Sequence, residues 1–189
     1  MKRVLSVLLM SVCFVGAASA QSITVKADQN LDTDFSKFNS FYFASQADAW
    51  LDEGMYFLND LHMKALIRDA VKGEMMGLGY DLQSSNPDLI VNFRVFDEPV
   101  TLKGYSGYGT SYWGDERYRE AEDTTSYNVE AGTLLISMAD RESGRVVWQG
   151  FASGLIENNE FIKEEGTIRE AVNLIFEEFN QRAKEYTRK

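Results

Sequence analysis

Asp140-Arg141-Glu142-Ser143-Gly144 leaves this chain few folds to choose from. Five turn-forming residues ending in glycine lie between two apolar runs, Thr133–Met138 and Val146–Ala152. That is a hairpin signature, and it commits the centre of the chain to an antiparallel pair. A strand hydrophobic on both faces needs cover, so the rest of the sequence must supply further strands and amphipathic helices.

It supplies both. Ile23–Ala27 reads as a short first strand, followed by turn formers over Asp28–Asp34. Phe38–Ala44 reads as a second, aromatic strand. From an N-cap at Asn59 or Asp60, the residues Met63, Leu66, Ile67, Ala70, Val71 and Met75 recur at three and four, the period of one helical face. Gly77 and Gly79 are expected to stop this helix in left-handed conformations.

Asn86-Pro87-Asp88 turns into Leu89–Phe96, where Leu89, Val91, Phe93 and Val95 share one side. A glycine-, tyrosine- and charge-rich loop is expected over 97–126. Strand character resumes at Tyr127 and runs to Met138. A last helix from about Thr167 carries Ile168, Ala171, Val172, Ile175, Phe176 and Phe179 on one face, with Arg182, Lys184, Arg188 and Lys189 at its end. The order β-β-α-β-β-β-α implies an α+β fold. We expect a two-layer sandwich, a mainly antiparallel sheet with both helices on one face.

Residues 1–20 stand apart from this pattern. Lys2 and Arg3 precede an apolar stretch ending in Ala18-Ser19-Ala20, the layout of a cleavable export signal. The stretch is too short for a membrane span, and no later segment reaches that length. The expected organisation is a signal at 1–20 and a single domain at 21–189, cleaved near Ala20. The formal charge of −10 becomes −12 without Lys2 and Arg3. So acidic a surface repels phosphate backbones and anionic lipid, which argues against nucleic-acid partners. The one cysteine, Cys13, lies in the signal; Val12 before it fits a lipidation motif poorly, so no lipid anchor is expected.

Three stretches carry a family likeness: Asp34-Phe35-Ser36-Lys37-Phe38, Pro87-Asp88-Leu89-Ile90-Val91, and Gly132–Ile136 with Asp140, Gly144, Val147-Trp148 and Gly150. Together they resemble the bacterial envelope family called domain of unknown function 4136. The resemblance implies a periplasmic or outer-membrane-associated protein of a Gram-negative bacterium, and it brings no catalytic residues. The same residues have structural readings. Gly144 suits a positive φ, Gly150 a bulge or close approach, and Trp148 a core position.

Candidate chemistry is sparse. His62, the sole histidine, sits in the first turn of a helix without sequence partners and reads as a surface or boundary residue. Asp28, Asn30, Asp32 and Asp34 alternate like a calcium loop. The pattern then has Thr33 where glycine is needed and Asn39 where a bidentate glutamate is needed, so no metal and no cofactor are expected. Asp115, Glu116, Glu120, Glu122 and Asp123 are interrupted by arginines and read as a solvated charge run.

Tyr105, Tyr108, Tyr112 and Trp113 differ from the other aromatics, because they lie on a glycine–serine backbone off any periodic apolar face. They are the candidate binding residues, for a carbohydrate, a peptide or another envelope protein. The competing reading folds the rings over the domain's own sheet. The functional expectation is an exported, non-catalytic envelope protein, a binding or structural module. Its alternative is a carboxylate-dependent hydrolase acting on envelope glycans.

Overall fold

A computed structural model of the chain describes residues 22–29, 33–44, 60–103, 126–158 and 160–183. The elements are β1 (Thr24–Gln29), β2 (Ser40–Phe43), α1 (Leu61–Gly77), β3 (Asp81–Leu82), β4 (Leu89–Phe96), β5 (Val100–Lys103), β6 (Ser126–Val129), β7 (Thr133–Asp140), β8 (Val146–Ser153), β9 (Ile156–Glu157), β10 (Glu160–Phe161) and α2 (Glu165–Glu177). Six strands form the main sheet in the order β1-β8-β7-β4-β2-β3. The fold is α+β, as the sequence implies.

β7 and β8 make the expected hairpin. The Gly144 N–H donates to the Asp140 carbonyl at 2.8 Å, and Gly144 takes a φ of 68°. Met138 lies opposite Trp148 and Ala139 opposite Val146, so Val147 is an extra residue in β8. That bulge lets Val147 and Trp148 both join the main core.

The sheet is mixed. β2 runs parallel to β4 and to β3, whereas β4–β7, β7–β8 and β8–β1 are antiparallel. Parallel neighbours need a crossover, and α1 provides it between β2 and β3. Helix α1 buries the predicted stripe, Met63 through Met75. Asp60 caps it by accepting from the Met63 N–H at 3.0 Å. Its end corrects one expectation: Gly77 is helical, and Gly79 alone is left-handed, with φ 91°. Gly79 N–H donates to the Met76 carbonyl and Tyr80 N–H to the Met75 carbonyl, two bonds that close the last turn.

Helix α2 begins at Glu165 and stops at Glu177, before the basic residues expected at its end. The last turn tightens where Glu178 and Phe179 N–H groups donate three residues back. The chain then turns along α1, and the Ala183 N–H reaches the Leu78 carbonyl. Phe179, just past the helix, anchors an aromatic cluster with Trp148 at 4.9 Å, Phe35 at 5.7 Å and Phe176 at 6.0 Å.

Three further boundaries differ. β1 extends through Asp28 and Gln29, whose pairing with Gln149 and Trp148 overrides their turn preference. The run expected from Tyr127 to Met138 breaks at Gly132, where φ is 72° and a Cβ would lie 2.6 Å from Ile156 Cβ. The ends of the expected 97–126 loop are a two-stranded ladder, β5 against β6.

Candidate functional site: a cleft at the root of the second hairpin

Period-two alternation gives the sheet two faces. One packs on both helices in the main core. On the other, Phe96 and Leu135 form a second cluster with Val129 of β6, joined by Val100 and Phe151. The β5–β6 hairpin therefore sits on the face opposite the helices, at the end where Phe96 pairs with Thr133.

Between this hairpin and β1 lies a cleft of about 640 Å³. β1 is one of the sheet's two edge strands and pairs with β8, placing Thr24 opposite Ser153 and Lys26 opposite Phe151. Two residues apart, Thr24 and Lys26 share a face, and both line the cleft with their partners. Asn128, Val129 and Glu130 form the facing wall, and Thr133 joins the two. The Thr133 hydroxyl donates to the Glu130 carbonyl at 2.7 Å and lies 2.9 Å from Ser153 Oγ. Asn128 Oδ1 accepts from Thr101 Oγ1 at 3.0 Å, which leaves its amide N–H groups outside that bond. Gly154 completes the rim at φ 94°, where a Cβ would lie 2.9 Å from the Ser22 carbonyl oxygen.

The lining mixes donors, acceptors and apolar atoms. Lys26 and Glu130 are exposed, and among the described residues neither takes part in an ion pair. No imidazole lies among these hydroxyls: His62 stands on α1, on the other side of the sheet, exposed to solvent. Among the described residues no three His, Cys, Asp or Glu side chains cluster as a metal site. Of the alternating acidic run, Asp34 caps the turn Phe35–Lys37 by accepting from the Ser36 N–H at 3.0 Å, and Asn30–Asp32 lie outside the described residues.

Tyr105, Tyr108, Tyr112 and Trp113 lie outside the described residues, as do the signal and the charge run from Asp115 to Asp123. The described roots of the aromatic segment meet, since Lys103 pairs with Ser126 at the loop end of the β5–β6 ladder. Sequence reasoning did not find the cleft. Its signal was the alternation Thr24-Val25-Lys26, polar on the face that the first strand turns away from the helices.

Part of the family likeness, Asp34–Phe38, Pro87–Leu89, Asp140 and Gly144, gathers at the opposite end of the sheet, where Leu89 pairs with Asp140, whereas Gly132 and Thr133 lie at the cleft end. Asp88 Oδ2 accepts from the Asn39 N–H at 2.8 Å and from the Ser40 N–H and hydroxyl at 3.0 Å, tying β2 to β4. Burial alone would raise the Asp140 carboxyl. The Lys37 ammonium at 2.7 Å and the Glu142 and Ser143 N–H groups outweigh that and hold it below the usual carboxylate range. These contacts are architectural. Each carboxylate is consumed by the backbone or the lysine it holds.

A mixed sheet with two helices on one face, and a hairpin roofing a cleft on the other, defines the class of domain. Residues 25–179 match the model of the family described as "Domain of unknown function (DUF4136)", and the chain belongs to that family. A DUF4136 family protein from Bacteroides thetaiotaomicron shares the fold at 17% identity and a TM-score of 0.52, over 83% of this chain and 95% of that one. A PDZ domain protein from Parabacteroides distasonis matches at 18% identity and a TM-score of 0.50, over 88% of this chain but 37% of its own. No curated protein matches the chain.

Proposed function

We propose that this is an exported, non-catalytic protein of the Gram-negative cell envelope. It binds an envelope glycan or protein on the sheet face that carries the β5–β6 hairpin. The observation carrying this reading is a shared root. β6 lends Asn128 and Val129 to the cleft, and at Ser126 it ends the segment bearing Tyr105, Tyr108, Tyr112 and Trp113. A two-stranded stem is a good platform for a tyrosine-rich binding segment, because it fixes where that segment leaves and rejoins the domain.

Export rests on the leader at 1–20, and the periplasmic or outer-membrane-associated setting on the family likeness. Among the described residues no helix is long and apolar enough to cross a membrane. The hydrolase alternative calls for two carboxylates at a defined separation. The described cleft lining has one, Glu130, and the buried Asp140 at the far end of the sheet is held by Lys37. That contrast favours binding over hydrolysis.

The test compares Tyr112→Ala/Trp113→Ala with the wild type in thermal melting and in recovery of envelope proteins and glycans. Loss of a wild-type partner at an unchanged melting temperature supports the proposal. A large fall in melting temperature with every partner retained assigns the rings to packing and overturns it.

A further inference from the structure

We propose that the cleft between β1 and the end of β6 binds a short acidic saccharide, one built of carboxylated sugars. This rests on the binding-module reading and names its ligand class. Two charges of opposite sign face the cleft from different elements, Lys26 on β1 and Glu130 after β6, and both are exposed. A ligand that spans them must offer an anion to the first and a hydrogen-bond donor to the second. The rest of the polar lining is dominated by hydroxyls, from Ser22, Thr24, Thr133 and Ser153. Hydroxyls both donate and accept, and so do the hydroxyls of a sugar. A uronic acid unit meets these demands, with its carboxylate on Lys26, hydroxyls on Glu130 and on the Ser22 and Thr24 side chains, and its C–H face toward Val129.

Competing chemistries fit less well. A phosphate group carries more charge than one lysine beside a carboxylate can balance, and the described lining has no arginine to grip it bidentately. A dipeptide zwitterion satisfies both charges but brings few groups for the Ser22 and Thr24 hydroxyls, which stand outside the bonds that Thr133 makes to Ser153 and Glu130. The volume of about 640 Å³ lies within the range of small-ligand pockets and exceeds what a single small ion would fill. Lys26 also has a particular value in this chain. At a net charge of −10 the surface repels anions, so an acidic ligand needs a cation at contact distance, well inside the screening length.

The test is a titration of the isotope-labelled protein, followed by amide chemical shifts, with digalacturonate as probe. Cellobiose, glycylglycine and inorganic phosphate are the comparators. Saturable shifts at Thr24–Ala27, Asn128–Glu130, Thr133 and Ser153 with digalacturonate are expected. Lys26→Met should weaken that binding by about tenfold at an unchanged melting temperature, since an exposed lysine carries little stability. Glu130→Gln should weaken it less, because an amide still accepts from a hydroxyl. The inference is overturned if digalacturonate at millimolar concentration leaves these amides unmoved, or if glycylglycine or phosphate binds there more tightly. A silent cleft together with partners lost in Tyr112→Ala/Trp113→Ala would end the saccharide inference and leave the binding module standing.

Discussion

Lys37 Nζ lies 2.7 Å from Asp140 Oδ2, joining residues 103 apart in sequence across one end of the sheet. The carboxylate side chain is 9% exposed and the lysine 48%. Asp140 Oδ1 separately accepts from the Glu142 N–H at 2.9 Å, so one side chain both shapes the β7–β8 turn and clips it to the segment before β2. The Lys37 ammonium also stands 4.7 Å from the centre of the Phe38 ring, which fixes its stem.

The pair makes stability fall in acid. A carboxylate held below its unfolded value stabilises the fold at every pH above that value, near 4, and the contribution disappears as the pH drops through the lower folded value. Asp140→Asn keeps the turn acceptor but removes the ion pair. It should cost about 1 kcal/mol at neutral pH, because the lysine end is half in water, and flatten the acid limb. Lys37→Met should flatten the limb as well: without the ammonium the folded carboxyl rises toward its unfolded value, so less stability is left to lose in acid. Denaturant midpoints measured across pH 3 to 7 check both. An acid limb identical in all three proteins would remove Asp140 from the account.

Local chemistry is why much of the fold could be read in advance. The Asp60 cap, the stripe from Met63 to Met75, the Asp140–Gly144 turn and the burial of Trp148 depend on spacing and side-chain type within a few residues. The parallel course of β2 beside β4 does not. Alternation tells a strand which face to bury and says nothing about the direction of its neighbour. The break at Gly132 was hidden for a related reason. Besides its left-handed φ, Gly132 is pressed by Ile156, 24 residues further along the chain in a two-stranded hairpin too short to show a period.

Gly150 has a packing reason of its own. A Cβ there would lie 2.5 Å from Ile175 Cγ2 and 2.6 Å from Trp148 Cη2, a branched side chain on α2 and a rigid ring. Neither can swing aside, since Ile175 is fully buried and Trp148 is 1% exposed. Gly150→Ala should therefore destabilise by roughly 1–3 kcal/mol through overpacking. Ile175→Ala removes one of the two obstacles, so the glycine substitution should cost measurably less in that background. Urea denaturation of the four proteins of this cycle gives the coupling. Additive costs would mean that α2 does not set the requirement for glycine.

The cleft was harder to read than the core because its walls are far apart in sequence. Thr24, Lys26, Glu130 and Ser153 are ordinary surface residues until β1 closes on β8 and the β5–β6 hairpin lies across them. A motif search depends on residues being close in the chain, and these become neighbours only by register. The aromatic segment was conspicuous for the opposite reason, since its four rings fall within residues 105–113.

The proposed export can be tested beside the cleft. Ser22 lines it, so cleavage after Ala20 leaves one residue, Gln21, ahead of the wall. The full-length chain produced in a Gram-negative host should therefore be recovered from the periplasmic or outer-membrane fraction with an intact mass that begins at Gln21, with or without cyclisation of that glutamine. The poor fit of Val12 before Cys13 predicts that no lipid accompanies it. A mass beginning at Cys13 and carrying a diacylglyceryl group would place the protein on a membrane instead, and a mass retaining residues 1–20 in the cytoplasmic fraction would remove export from the account. Ala18→Lys, which spoils the small residue that a signal peptidase needs, should shift the product to the unprocessed form in the membrane fraction.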